Sequence, residues 1–131
     1  MQHNRIDKSI LLNADREKVW DILTNPEFAK ILGNELDEGA FLESDWEEGA
    51  FVYFKYEPDK LIATGVIKEY QLYAHVFVDY QEINYNDSYT LAEKNGKTVL
   101  TISSGPYQDD YEEQQKVWTK WLMKVKQLSE M

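Results

Sequence analysis

The chain has 131 residues, of which 24 are acidic, 14 are basic, 43% are apolar and none is cysteine. That length suits one domain with one core over residues 1–131, and no apolar run approaches the roughly 20 residues of a membrane-spanning helix. The net charge of −10 speaks against nucleic acid and anionic membrane surfaces as partners, because both are held by clustered Lys and Arg.

Without cysteine there is no disulfide framework and no thiolate zinc site, so the expected address is the cytoplasm. The opening MQHNRIDKSILLN has charges interrupting its one apolar stretch and does not read as a signal peptide.

In chain order, Ile6, Ile10 and Leu12 recur at even spacing, interrupted by Lys8, which predicts a strand. A helix follows, with Asp15 and Glu17 at its positive end and an apolar face of Val19, Trp20, Ile22 and Leu23. Asn25-Pro26 starts a second, short helix with Asn as cap and Pro in the first helical position. It carries Phe28, Ile31 and Leu32 and is expected to end at Gly33.

Between Glu35 and Glu48 lie seven acids and no base. An acidic edge strand deters edge-to-edge pairing, and the sharper alternative is a cavity mouth that repels anions.

From Ala40 to Gly105 the signals are strands: AFLESDW, AFVYFKYE, KLIATGVIKEY and AHVFVDYQEI, then a turn over Asn84–Asp87, then SYTLAE and KTVLTIS. The last two are joined by Asn95-Gly96, a pair suited to a type I′ hairpin turn. From Asp109 the period changes, with Tyr111, Trp118, Leu122, Val125 and Leu128 at intervals of three, four and seven. This predicts an amphipathic helix of about 20 residues, roughly 30 Å long.

The expected architecture is α+β. A curved antiparallel sheet of six to seven strands wraps on a long C-terminal helix, with two short helices after the first strand. A sheet with one apolar face needs a cover, and the terminal helix is the element long enough to supply it.

Three passages resemble the helix-grip fold of the START-like, Bet v 1-like (SRPBCC) superfamily. They are NADREKVWDILTNPE, then DWEEGAFVYFKY with LIATGVIKEY, then KTVLTISSGPY with KVWTKWLMKVKQLSE. Within the superfamily the chain is similar to the branch named after the activator of Hsp90 ATPase homologue (AHSA1-like domains), although that branch commonly has Pro where Asp15 stands here. The resemblance implies a cavity between the sheet and the closing helix, in which members of the superfamily bind lipids, hormones or polyketides or carry out chemistry.

Local motifs for chemistry are sparse. The histidines are His3 and His75, and Asp79, four residues along the strand from His75, is about 13 Å away, too far to share a metal ion. No metal site and no cofactor is expected, since the six glycines are scattered singly and form no phosphate loop. Ser103-Ser104 has no adjacent base to activate a nucleophile, so no catalytic residue is assigned. Glu82 follows the apolar face of Ala74, Val76, Val78 and Tyr80, which could aim it into a cavity mouth for acid–base work; the preferred reading is the solvated end of a strand, since carboxylates are rarely buried without a partner.

The aromatic residues, nine Tyr, four Trp and five Phe, are the more informative set, because a tyrosine in a cavity offers an apolar ring and an orienting hydroxyl. Tyr53, Tyr56, Tyr80 and Tyr107 lie in or near strands. Phe51 and Tyr53 alternate with Val52, Phe54 and Tyr56, so both faces of one strand carry aromatics and alternation alone leaves the inward face open. An uncovered outer face would make a homodimer contact economical.

The first functional expectation is a non-enzymatic binding protein for a small apolar or amphipathic molecule. Phe28 and Leu32 would close one end of its cavity, and Trp46, Phe54, Tyr56, Val78, Tyr80, Trp118 and Leu122 would line it. The alternatives are a co-chaperone-like interaction domain, as the family name implies, or a cyclase- or hydrolase-like enzyme. The enzyme would be marked by a buried ionisable pair at the cavity, in particular Glu82 or His75 beside a Tyr.

Overall fold

Capping chemistry sets the first helices of the computed structural model, which describes residues 4–131; His3 lies outside the described residues. Strand β1 (Ile6–Leu12) runs into helix α1 (Arg16–Thr24), whose first turn is closed by the Asp15 carboxylate accepting from the Lys18 backbone N–H at 2.9 Å. Asn25 ends α1 and caps α2 (Pro26–Leu36), where its side chain accepts from the Glu27 N–H at 2.9 Å.

A meander of six strands follows: β2 (Ala40–Ser44), β3 (Phe51–Tyr56), β4 (Lys60–Gln71), β5 (His75–Tyr80), β6 (Tyr85–Lys94) and β7 (Lys97–Gly105). Strand β1 pairs with β7, so the sheet is antiparallel throughout, in the order β1-β7-β6-β5-β4-β3-β2. Register shifts at Phe54/Lys55 and between Ile67 and Glu69 are the bulges that bend such a sheet. Helix α3 (Tyr111–Ser129) lies along the concave face and buries Trp118, Trp121, Leu122 and Val125 there. Among the described residues, no helix is long and apolar enough to cross a membrane.

Of the boundaries that differ from expectation, two shape the site. Helix α2 continues past Gly33 to Leu36, because Gly33 serves as a close-approach point. A Cβ there would stand 2.1 Å from the Ala40 carbonyl oxygen, so only glycine lets β2 cross so near the helix. Strand β6 begins at Tyr85, and Asp87, expected in a turn, is instead a buried strand residue. The reversal is made earlier, by a single 3-10 turn at Gln81–Ile83 and by Asn84 at φ 53°.

On β3, Val52, Phe54 and Tyr56 face inward while Phe51, 53% exposed, and Tyr53 face outward. The acid-rich segment contains β2, which is the sheet edge beyond β3. Lys55 neutralises part of it, pairing with Glu43 at 2.6 Å and with Asp59 at 2.7 Å. Hydrogen bonds to Asp59 and then Glu43 push the Lys55 ammonium up to about 12.

Candidate functional site

The inward faces of β6 and β7 carry an unexpected polar cluster. In register, Asp87 stands opposite Val78 on β5 and opposite Ser104 on β7, which brings the Ser104 Oγ within 2.6 Å of Asp87 Oδ1 as a donor. Tyr85, two residues before Asp87 and so on the same face, places its hydroxyl 2.7 Å from Ser104 Oγ and 2.7 Å from the Tyr107 hydroxyl. Tyr107 follows β7, lies 2.6 Å from Ser104 Oγ, and accepts from the Trp118 indole N–H of α3 at 2.9 Å.

The hydrogens of this cluster can be counted. With Asp87 ionised, the single Ser104 proton goes to the carboxylate. Tyr85 and Tyr107 then bring two protons to three close oxygen–oxygen contacts, so one contact has none. A proton on Asp87 removes the deficit: the carboxyl donates to Ser104 and the three hydroxyls close into a ring. Burial accordingly pushes the Asp87 carboxyl up to about 6, against the opposing effects of the Ser104 and Tyr85 hydroxyls, the Arg5 charge and the Tyr89 hydroxyl. Burial, followed by the Asp87 charge, raises the Tyr85 hydroxyl strongly, and it raises that of Tyr107 as well.

Tyr85, Asp87 and Tyr107 of this cluster form the floor of a cavity of about 470 Å³ between the sheet and α3, with Ser104 buried beneath them. Its walls include Leu42, Phe54, Ala63, Tyr80, Val117 and Trp118, and at its mouth stand Asp37, Tyr56 and Glu113. The Tyr56 hydroxyl donates to Asp37, and this bond, with burial behind it, raises the tyrosine's pKa. Space for the Tyr80 ring comes from Gly65 on β4, where a Cβ would lie 2.7 Å from Val78 Cγ1 and 2.9 Å from Tyr80 Cδ2. A second cavity of about 360 Å³ lies under α2, with Trp20, Leu32, Trp46, Val76, Tyr89 and Trp121 among its lining. Leu36 and Leu42 line both.

The residues expected to form one cavity are thus distributed. Phe54, Tyr56, Tyr80 and Trp118 meet around the polar-floored cavity, and Leu32 and Trp46 line the other. Val78 and Leu122 are buried core residues, and Phe28 packs partly buried against that core. Glu82 is exposed on the 3-10 turn. His75, on the outer side of β5, bonds to Thr90 Oγ1 at 2.8 Å and Glu69 Oε1 at 2.9 Å. The buried ionisable group beside a tyrosine is therefore Asp87. The turn-forming residues around it masked it, although Tyr85, Asp87, Tyr89 and Leu91 continue the period-two pattern of the strand upstream.

Solved structures with the same architecture include protein CV1439 of Chromobacterium violaceum. It is 20% identical over 97% of this chain and 98% of that one, with a TM-score of 0.75. The Aha1 dimer of Colwellia psychrerythraea is 14% identical over 97% and 96%, also at 0.75. CalU16 of Micromonospora echinospora is 18% identical over 93% of this chain and 71% of that one, at 0.68. At these identities the likeness establishes the fold alone. A sequence search of curated proteins found no match. The sequence profile of the family described as "Activator of Hsp90 ATPase homolog 1-like protein" matches residues 13–130. The α+β helix-grip architecture and this match over nearly the whole chain agree, and the protein belongs to the activator of Hsp90 ATPase homolog 1-like family.

Proposed function

We propose that this domain binds a small amphipathic molecule in the cavity between its sheet and α3. The polar end of the molecule rests on the Tyr85 and Tyr107 hydroxyls, which Ser104 braces from behind, and its apolar part lies along Phe54, Val117 and Trp118. The observation that carries this reading is the polar cluster itself. A carboxyl, a serine and two tyrosines occupy inward positions where apolar side chains would pack at less cost, and the carboxyl and both tyrosines line a cavity whose walls are mostly apolar. Apolar walls with a few convergent polar groups are the usual composition of a small-molecule site.

The test uses N-phenyl-1-naphthylamine, an apolar fluorophore that is neutral near pH 7. Saturable, one-to-one fluorescence enhancement, with a shift of the Trp118 indole N–H resonance, is the expected result. Enhancement that does not saturate, or that leaves that resonance in place, would overturn the reading.

A second reading, a protein-interaction domain, is favoured by the outer surface. Phe51 is 53% exposed on the outer face of β3, where its ring lies 6.1 Å from that of Tyr53, and exposed aromatic surface of this kind marks contact sites. The Colwellia structure is described as a dimer, and the family name refers to activation of the Hsp90 ATPase. A homodimer through this face predicts gel-filtration behaviour of twice the 15.5 kDa chain mass at low micromolar concentration, and a monomer there excludes it. A co-chaperone role predicts stimulation of an Hsp90 ATPase by the added domain.

A further inference from the structure

The polar-floored cavity has a charge character that narrows its ligand. Among the described residues that line it, three are acids, Asp37, Asp87 and Glu113, and none is a Lys, Arg or His. The base whose charge bears on Asp87 is Arg5. Its guanidinium is bonded at 3.1 Å to Ser103 Oγ, on the opposite face of β7 from Ser104. The positive end of α3 stands near the mouth, but Asp110 occupies its N-cap position and Glu112 and Glu113 its first turn, so three acidic side chains already offset its attraction for an anion.

Two further features point the same way. The cluster is short of hydrogens when Asp87 is ionised, as counted above, so a ligand that brings N–H donors fits it better than one that brings lone pairs. The walls are rich in aromatic rings. Tyr80 and Tyr85 lie with centroids 5.8 Å apart and Tyr85 and Tyr107 with centroids 5.6 Å apart, and Phe54 and Tyr56 are 5.5 Å apart on the adjoining strand. The faces of such rings attract cations and are indifferent or unfavourable to anions.

We propose that the molecule taken by this cavity is cationic: a lipophilic amine whose ammonium group sits against Asp87 and the Tyr85 and Tyr107 hydroxyls, with its apolar part along Phe54 and Trp118. This rests on the small-molecule reading above and deepens it. A fatty acid or other carboxylate of the same size would bring a fourth negative charge and further acceptors into an acceptor-rich site. An alcohol would meet neither the penalty nor the attraction.

The experiment compares octylammonium, octanol and octanoate, which share one chain and differ in charge, by following the Trp118 indole N–H and the methyl resonances of Val117 near neutral pH. The expected order of affinity is octylammonium, then octanol, then octanoate, with about tenfold between the first and the last. Asp87→Asn is expected to lower the ratio of octylammonium to octanol association constants about tenfold, with its fold checked by the dispersion of core methyl resonances. The comparison on the unaltered protein stands even where that variant fails to fold. Octanoate binding as tightly as octylammonium overturns the cationic assignment and leaves the cavity reading intact. Failure of all three probes to shift these resonances overturns both.

Discussion

Asp87 Oδ1 and Ser104 Oγ lie 2.6 Å apart, directly across the β6–β7 ladder, on two buried residues. A carboxyl held this way binds its proton more tightly in the folded chain than in the unfolded one, since burial raises it from 3.8 to about 6. The sign of the linkage follows. The contribution of Asp87 to stability is complete below about pH 4 and is lost as the pH rises through about 6, by an amount on the order of 3 kcal/mol.

Asp87→Asn removes this titration. Urea unfolding of both proteins between about pH 4 and about pH 8 should show the original chain gaining stability relative to the variant, by about 3 kcal/mol, as the pH falls. A stability difference that is constant with pH would show that Asp87 does not titrate in that window.

Tyr107→Phe deletes the acceptor of the Trp118 indole N–H, which is donated at 2.9 Å from a side chain only 2% exposed. The expected loss is about 1–3 kcal/mol, because a buried donor is left without a partner. A double-mutant cycle with Trp118→Phe tests the cause: the two losses should add to more than the double variant loses.

Gly65→Ala puts a methyl group 2.7 Å from Val78 Cγ1 and 2.9 Å from the Tyr80 ring. Overpacking of this kind costs about 1–3 kcal/mol, readable as a lowered melting temperature. Because Tyr80 is a wall of the polar-floored cavity, saturable binding of N-phenyl-1-naphthylamine should weaken as well.

Leu122→Ala should cost about 2–5 kcal/mol in chemical denaturation, since Leu122 is 4% exposed under the sheet. Its neighbour Met123, 53% exposed, provides the contrast: Met123→Ala should stay within about 0.5 kcal/mol.

The sheet, its helices and their order were legible because each element carries its own period. Trp118, Leu122 and Val125 repeat at helical spacing, and Val76, Val78 and Tyr80 repeat at strand spacing; both sets are buried as those periods require. Asn95-Gly96 turns the chain with both residues at positive φ, as the dipeptide implied. The candidate site was legible only in part. Phe54, Tyr56, Tyr80 and Trp118 could be named as aromatics on facing elements. Asp87 and Ser104 could not, because local composition around Asn84 and Asn86 favours a turn and their partnership exists only across a ladder between strands. Which of Tyr53 and Tyr56 points inward was likewise fixed by pairing with β2 and β4, not by the alternation of β3 itself.

The two cavities are divided by side chains, Leu36 from the last turn of α2 and Leu42 from β2. That last turn exists because Gly33 lets the helix run on beside Ala40. A leucine side chain has other staggered rotamers available without any shift of backbone, so a partition of this kind is one that side-chain rotation alone could open. On the small-molecule function proposed above, the length of ligand would therefore be graded: short molecules would fit above the hydroxyl floor, and longer ones would extend under α2 with the leucines turned aside.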